Sequence, residues 1–321
     1  MEPFLLKPAC KSSIWGGKNL KKRFHKEYPG DIISESWELS VHPAGLSLAS
    51  SGPNCGIPLA EIVKEPSVLG AFAASHPAFP LMIKWIDSQL PLSIQVHPDN
   101  DYALVHENDM GKTEMWYIID CEPGAYLYYG FAQAISKEEF ICRIQEDRLL
   151  DVIKKVPVKK GDVFFIPSRT LHAIGPGILL AEVQQSSNVT YRIYDYGRLD
   201  TDGKPRPLHI QQAVDVTNLA PVVDTVPTSV PLTDPQDLLL ASCPYFAVVR
   251  QQISTHRQYT GDAGSFHALM CVEGDGQLVN AEGTASIPSG ATVFVPSDSR
   301  PFTLSGAMTL LDVFVPDPAL F

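Results

Sequence analysis

The sequence has no apolar run long enough to cross a bilayer, which argues against a helical membrane protein. It has no C-x-x-C pair. The six cysteines, Cys10, Cys55, Cys121, Cys142, Cys243 and Cys271, are scattered, so neither a zinc ribbon nor a dithiol redox motif is suggested. Reduced, mostly buried thiols of a cytoplasmic protein are the expectation. The N-terminal MEPFLLKPACKSSIW carries an acid at Glu2, and its apolar stretch is too brief for a secretory signal. Positive charge is scarce as well: 25 Lys and Arg stand against 36 Asp and Glu, a net charge of -11. That balance argues against nucleic-acid partners, and no membrane partner is expected. An anionic ligand would need a local positive site to overcome it.

What is present is an ordinary globular composition of 321 residues, 45% hydrophobic and 19% charged, enough for one large domain or two modest ones. The 27 prolines and 22 glycines punctuate short apolar runs. LSIQV, MWYII, VFFIP, ILLAEV, YRIYDY, FAVVR and TVFVP read as strands, so the fold is expected to be mainly β. Ser136 with Glu139 forms a capping box before Phe140, Ile141 and Ile144 at helical spacing, followed by Leu149, Leu150 and Ile153. One or two helices are predicted between about 136 and 155, and a shorter one over Leu59 to Lys64. Residues 219–236 hold four prolines, no glycine and no helical period, and read as a linker. The expected units are 1–220, with the helical insertion, and 237–321.

Across that linker the sequence repeats itself. GDVFFIPS at 161–168 matches GATVFVPS at 290–297, and KTEMWYII from Lys112 can be laid on SFHALMCV from Ser265. The pattern of glycine, then Ile-Pro or Val-Pro, then histidine resembles that of cupin jelly-roll barrels, so two such barrels are expected. The copies differ: five residues after Pro167 comes His172, but five after Pro296 comes Pro301. The second unit is therefore a degenerate copy.

Strand alternation puts Ser93, Gln95 and His97 on one face, and Lys112, Glu114 and Trp116 on another. His172 follows VFFIP after a short turn. Gln95, His97, Glu114 and His172 together supply two imidazoles, one carboxylate and one amide oxygen. That set suits a borderline divalent metal such as zinc. Taken singly, His97 could merely end a strand, and Glu114 could be a surface partner of Lys112. A buried carboxylate with no partner would be costly, and this favours the joint reading. His25, His76, His106, His209 and His256 read as surface or loop residues. His42 and His267 are unsupported as ligands. Further on, Thr190, Arg192 and Tyr194 share a face. Arg192 either forms a salt bridge inside the barrel, with Glu182 as the candidate partner, or recognises a phosphate or oxyanion.

SIWGGKNL, SESWELSVHP, SIQVHPDN, GKTEMWYII, IPSRTLHAIGPG, LAEVQQSSNVTYRIYDYGR and KPRPLHI occur in that order. As a set they resemble the signatures of the type I phosphomannose isomerases, in their short bacterial form. The resemblance implies one divalent metal, most simply Zn2+, on His97, Glu114, His172 and Gln95. Gln95 stands at a position where the family tolerates variation. It also implies Arg192 as an active-site residue, with Glu35 and Trp15 near the pocket. Lys112 and Arg192 are the candidate catalytic and substrate-binding cations. The implied activity interconverts mannose 6-phosphate and fructose 6-phosphate through an enediol. Metal-bound hydroxide, Glu182, Lys112 or a histidine could be the C1/C2 base. A non-catalytic sugar-binding cupin and a metal-dependent cupin oxygenase are the other readings; the paired cations argue against the oxygenase.

Overall fold

A computed structural model of the chain describes residues 1–222, 230–234 and 236–321. Among them the strands fall into three main sheets. A six-stranded sheet runs Val163–Ile166, Glu114–Cys121, Ile178–Gln185, Leu81–Ser88, Glu35–Leu39 and Ala9–Lys11. A five-stranded sheet runs Tyr191–Tyr194, Ile94–Val96, His172–Ile174, Tyr126–Phe131 and Ile153–Pro157. These two close the first jelly-roll barrel around Trp116, Ile118, Leu127, Phe164, Ile174 and Leu180. A 10-stranded sheet forms the second, its interior filled by Leu269, Val293, Phe302, Leu304 and Leu310. The first strand of the chain, Phe4–Lys7, belongs to that sheet and pairs with Thr292–Val295.

Period-two alternation explains how the barrels meet. In Leu81–Ser88, residues Leu81, Ile83 and Trp85 point outward, as do Met115, Tyr117 and Ile119 of the neighbouring strand. They pack against Phe246, Val248, Ala268, Met270 and Phe294 of the second unit in one shared core. The intervening residues, Lys84, Glu114, Trp116 and Glu182, are left to face the first barrel's interior. A buried polar tie joins the two units: Lys26 Nζ lies 2.7 Å from Glu38 Oε1, and Thr292 Oγ1 donates to Glu38 Oε2 at 3.0 Å.

The repeat is exact in register. Glu114 stands opposite Ile166 and Gln184, and His267 stands opposite Val295 and Phe314. Two residues on, Trp116 faces Glu182 and Leu269 faces Asp312. The turn glycines Gly161 and Gly290 both sit at φ 89°, a conformation that a side chain would strain.

Helix Lys137–Gln145 begins where expected, with Ser136 Oγ accepting from Glu139 N at 3.1 Å, and a short 3-10 turn follows at Leu149–Asp151. The spacing predicts Ile153 as helical, but it is strand: Ile153–Pro157 pairs with Tyr126–Phe131, where sheet pairing overrides the helical period. Leu59–Ile62 is a short helix, and Asn19–Phe24, Asn100–His106 and Ile210–Val216 are further ones. Part of the expected linker, residues 223–229 and 235, lies outside the described residues. The thiols are less buried than expected: Cys243 and Cys271 are buried, whereas Cys55 and Cys142 are exposed.

Candidate active site

The two sheets of the first barrel supply opposite halves of one cluster. Gln95 and His172 are direct cross-strand partners in the five-stranded sheet, and His97 follows one residue after its strand. Glu114 opens its strand on the facing sheet. His172 Nε2 lies 3.2 Å and His97 Nε2 3.8 Å from Glu114 Oε1. The ligand-type atoms of His97, Glu114 and His172 all lie within 4.8 Å of one another, and all three residues are buried. The Gln95 amide reaches the same point, 3.5 Å from His172 Nε2.

The second ring nitrogens are occupied. His97 Nδ1 is 2.8 Å from Val189 O, and His172 Nδ1 is 2.8 Å from Thr170 O. Each Nδ1–H donates to a backbone carbonyl, which turns a bare Nε2 lone pair toward the centre. Burial holds both imidazoles neutral. It drives His97 well below the ordinary range, with Lys112 and His172 adding to the effect. It pushes His172 down to about 4. Burial also raises Glu114 to about 7, although Lys112, 2.7 Å from its Oε2, opposes the rise.

Such an arrangement is unfavourable by itself. His97 Nε2 and Glu114 Oε1 are fully buried and have no hydrogen-bond partner among the described residues. Orphaned groups of this kind cost on the order of 1–3 kcal/mol each. A divalent ion among two neutral imidazoles, a carboxylate and an amide would satisfy them, so the donor set fits a metal.

A cavity of about 320 Å³ opens beside the cluster, lined by Gln95 and Lys112 among others. Four cations reach it, Lys84, Lys112, Arg192 and Arg206, with two carboxylates, Glu35 and Glu182. This is the local positive site that an acidic chain needs for an anion. Lys84 Nζ bridges Glu182 Oε1 at 3.1 Å and Glu35 Oε2 at 3.6 Å. Burial alone would lower the Lys84 pKa, but these carboxylates raise it. Burial alone would raise Glu182; Lys112 and Lys84 more than offset this and hold it ionised, and Trp116 Nε1 donates to its Oε2 at 3.0 Å.

Among the described residues Arg192 forms no ion pair, and the expected alternative of a bridge to Glu182 is absent. Its Nε donates to Ser93 Oγ at 3.3 Å and one terminal nitrogen to Pro207 O at 2.9 Å. Thr190 lines the same cavity, as do Trp15 and Glu35. Tyr194 does not: the register shifts between Arg192 and Tyr194, and Tyr194 packs on the outer core beside Ile193 and Ile210. His209, read as an unpartnered loop residue, accepts from the Arg192 backbone N at 3.2 Å. Lys84 and Arg206 were not singled out from sequence. Lys84 had a signal, a lone lysine in the apolar LMIKWI. Arg206 lies in the signature KPRPLHI, but nothing local aims it at the cavity, which its loop reaches only through the tertiary fold.

Residues 4–118 match the family model for the phosphomannose isomerase type I catalytic domain, and residues 237–315 match that for the mannose-6-phosphate isomerase cupin domain. The mannose-6-phosphate isomerase of Streptococcus mutans is 36% identical over 310 residues, covering 97% of either chain. A mannose-6-phosphate isomerase of Bacillus subtilis is likewise 36% identical over 310 residues, covering 95% of this chain and 96% of that one. A crystal structure of the mannose 6-phosphate isomerase from Bacillus subtilis superposes with a TM-score of 0.90 at 35% identity, over 98% of this chain and 99% of that one. A phosphomannose isomerase from Salmonella typhimurium, at 17% identity and a TM-score of 0.80, shares the fold over 98% of this chain and 100% of that one.

Proposed function

The chain belongs to the type I phosphomannose isomerases, and from that premise we propose that it interconverts mannose 6-phosphate and fructose 6-phosphate at the cavity of the first barrel. The observation that carries this reading is the juxtaposition of orphaned ligand atoms on His97 and Glu114 with a cavity bearing four cations. His97, Glu114, His172 and Gln95 would hold the metal, and zinc is the ion this donor set suits. When bound, it would supply Lewis-acid polarisation of substrate oxygens.

The remaining roles follow from charge and position. Arg192, without a carboxylate partner, is free to bind phosphate or the developing enediolate, and its planar fork suits either. Lys112 presents an ammonium between Glu114 and Glu182, where it can donate to an oxygen that gains charge during enolisation. The C1/C2 proton needs an acceptor that is unprotonated and free to move it. Both imidazoles are committed through Nδ1 and through the metal position. Of the two carboxylates lining the cavity, Glu182 is held ionised by Lys112 and Lys84, and we assign it the proton transfer. The 237–321 unit serves as scaffold, and unpaired thiols at all six cysteines support a cytoplasmic setting.

The test is turnover of mannose 6-phosphate by purified protein, with and without air, before chelation and after one equivalent of zinc is restored. Equal rates in both atmospheres and restoration by zinc are expected. No fructose 6-phosphate from the zinc-restored protein would sink the reading. Oxygen consumption would replace it with the oxygenase chemistry.

A further inference from the structure

Asp195 does not line the cavity, yet it is buried, at 6% exposure, and sits behind one of the cavity's arginines. Its Oδ2 accepts from Arg206 Nε at 2.8 Å and its Oδ1 from an Arg206 terminal nitrogen at 2.5 Å. This is a side-on, two-pronged clamp, and it leaves the other terminal nitrogen of Arg206 for a ligand. The same Oδ1 accepts from Arg198 at 2.6 Å, and Arg198 in turn donates to Pro91 O at 2.6 Å. Pro91 precedes Leu92 and Ser93 on the cavity wall.

Asp195 thus ties Arg198 and Arg206, on either side of the exposed stretch 201–205, to the rim. The next residue, Pro207, extends the linkage, because its carbonyl accepts from Arg192 at 2.9 Å. Arg192 and Arg206 are close enough to repel one another. Two guanidinium groups aimed into one cavity would drift apart without a fixed counter-charge, and Asp195 supplies it from the side away from the ligand. We infer that Asp195 is a positioning residue, which holds Arg206 beside Arg192 as a two-arginine clamp for the phosphate dianion of the sugar. The inference rests on the isomerase reading for its substrate, but the clamp itself is a property of the anion site.

Two measurements test it. Calorimetric titration with inorganic phosphate reads the anion site without turnover, and steady-state kinetics with mannose 6-phosphate reads it in catalysis. Asp195→Asn keeps the shape and removes the charge. It should weaken phosphate binding and raise KM by a similar factor, on the order of 10- to 100-fold, as expected when a charge-assisted contact is misplaced. Its kcat should stay within about threefold, because the reacting carbons lie at the other end of the substrate. Asp195→Asn added to Arg206→Ala should do no further harm, since Asp195 acts through Arg206. Should Asp195→Asn not fold, Arg206→Lys decides: it keeps the charge but cannot take the two-pronged clamp, so it should behave as Arg206→Ala does. Phosphate affinity and KM within twofold of the parent in Asp195→Asn, additive losses in the double variant, or parental behaviour of Arg206→Lys would each overturn the inference. Parent protein that binds phosphate through this clamp but does not isomerise the sugar would refute the functional reading alone.

Discussion

The two barrels place different residues on the same lattice. Glu114 and Glu182 of the first correspond in strand register to His267 and Asp312 of the second. In the first, both histidine Nδ1 atoms meet backbone carbonyls, burial keeps the rings neutral, and the Nε2 atoms converge on Glu114. In the second, His267 Nδ1 lies 2.7 Å from Asp312 Oδ1 and its Nε2 3.5 Å from Asp262 Oδ2. Burial would lower its pKa, but the two carboxylates raise it to about 10, so the ring is a cation with no lone pair to offer. The exposed Pro301 stands where His172 would, and the interior is filled with aliphatic side chains. The metal-capable histidines are fully buried and the structural one only half-buried, but what disqualifies His267 as a ligand is that both its nitrogens face carboxylates.

The sharpest way to break this comparison is to count the metal and then remove it. One ion per chain is expected by elemental analysis. Exhaustive chelation, or Glu114→Gln, should lower kcat by more than about 10³-fold, since Lewis-acid and electrostatic stabilisation are lost together. Two ions per chain would show that the second barrel is not degenerate.

Next in size is Arg192. Arg192→Ala should reduce kcat/KM by about 10² to 10³ while metal content and melting temperature stay near those of the parent. Arg192→Lys should recover little of this, because an ammonium does not reproduce the planar fork. A parental rate would remove Arg192 from the chemistry, and loss of metal or fold would make it a structural residue.

Glu38 tests the seam between the units. Glu38→Ala strands the buried Lys26 ammonium, and breaking one side of such a pair costs about 3–5 kcal/mol. Denaturant unfolding should register that loss. A change below about 1 kcal/mol would mean that the apolar face alone joins the barrels.

The smallest expected effect on activity is at His267. His267→Ala should keep metal content and rate within about twofold, with any loss appearing as stability. The parent should also show it through pH. The folded state holds the His267 proton more tightly than the unfolded chain does. Its stabilisation is therefore whole below pH 6.5 and is lost as pH rises through about 10. His267→Gln should unfold with a flatter profile across that window; an unchanged profile would refute the half-buried His267–Asp312 ion pair.

Local pattern in the chain was enough to read the class of fold, the repeat and the set of candidate donors, three of which the fold brings together. Strand alternation is a local property, so the inward faces of SIQVH and TEMWY, and the substitution of Pro301 for a histidine, could be read directly. Tertiary structure decided what local pattern does not encode. Ile153 became strand because an edge strand was available for pairing. Tyr194 left the Arg192 face because an irregularity reversed the alternation. Lys84 joined the site because a facing sheet brought Glu35 and Glu182 within reach of its ammonium, and Arg206 because Asp195 folds its loop back onto the rim. Charge pairing acts across space between residues far apart in the chain, so the protonation of each group and the freedom of Arg192 were set only when the sheets closed.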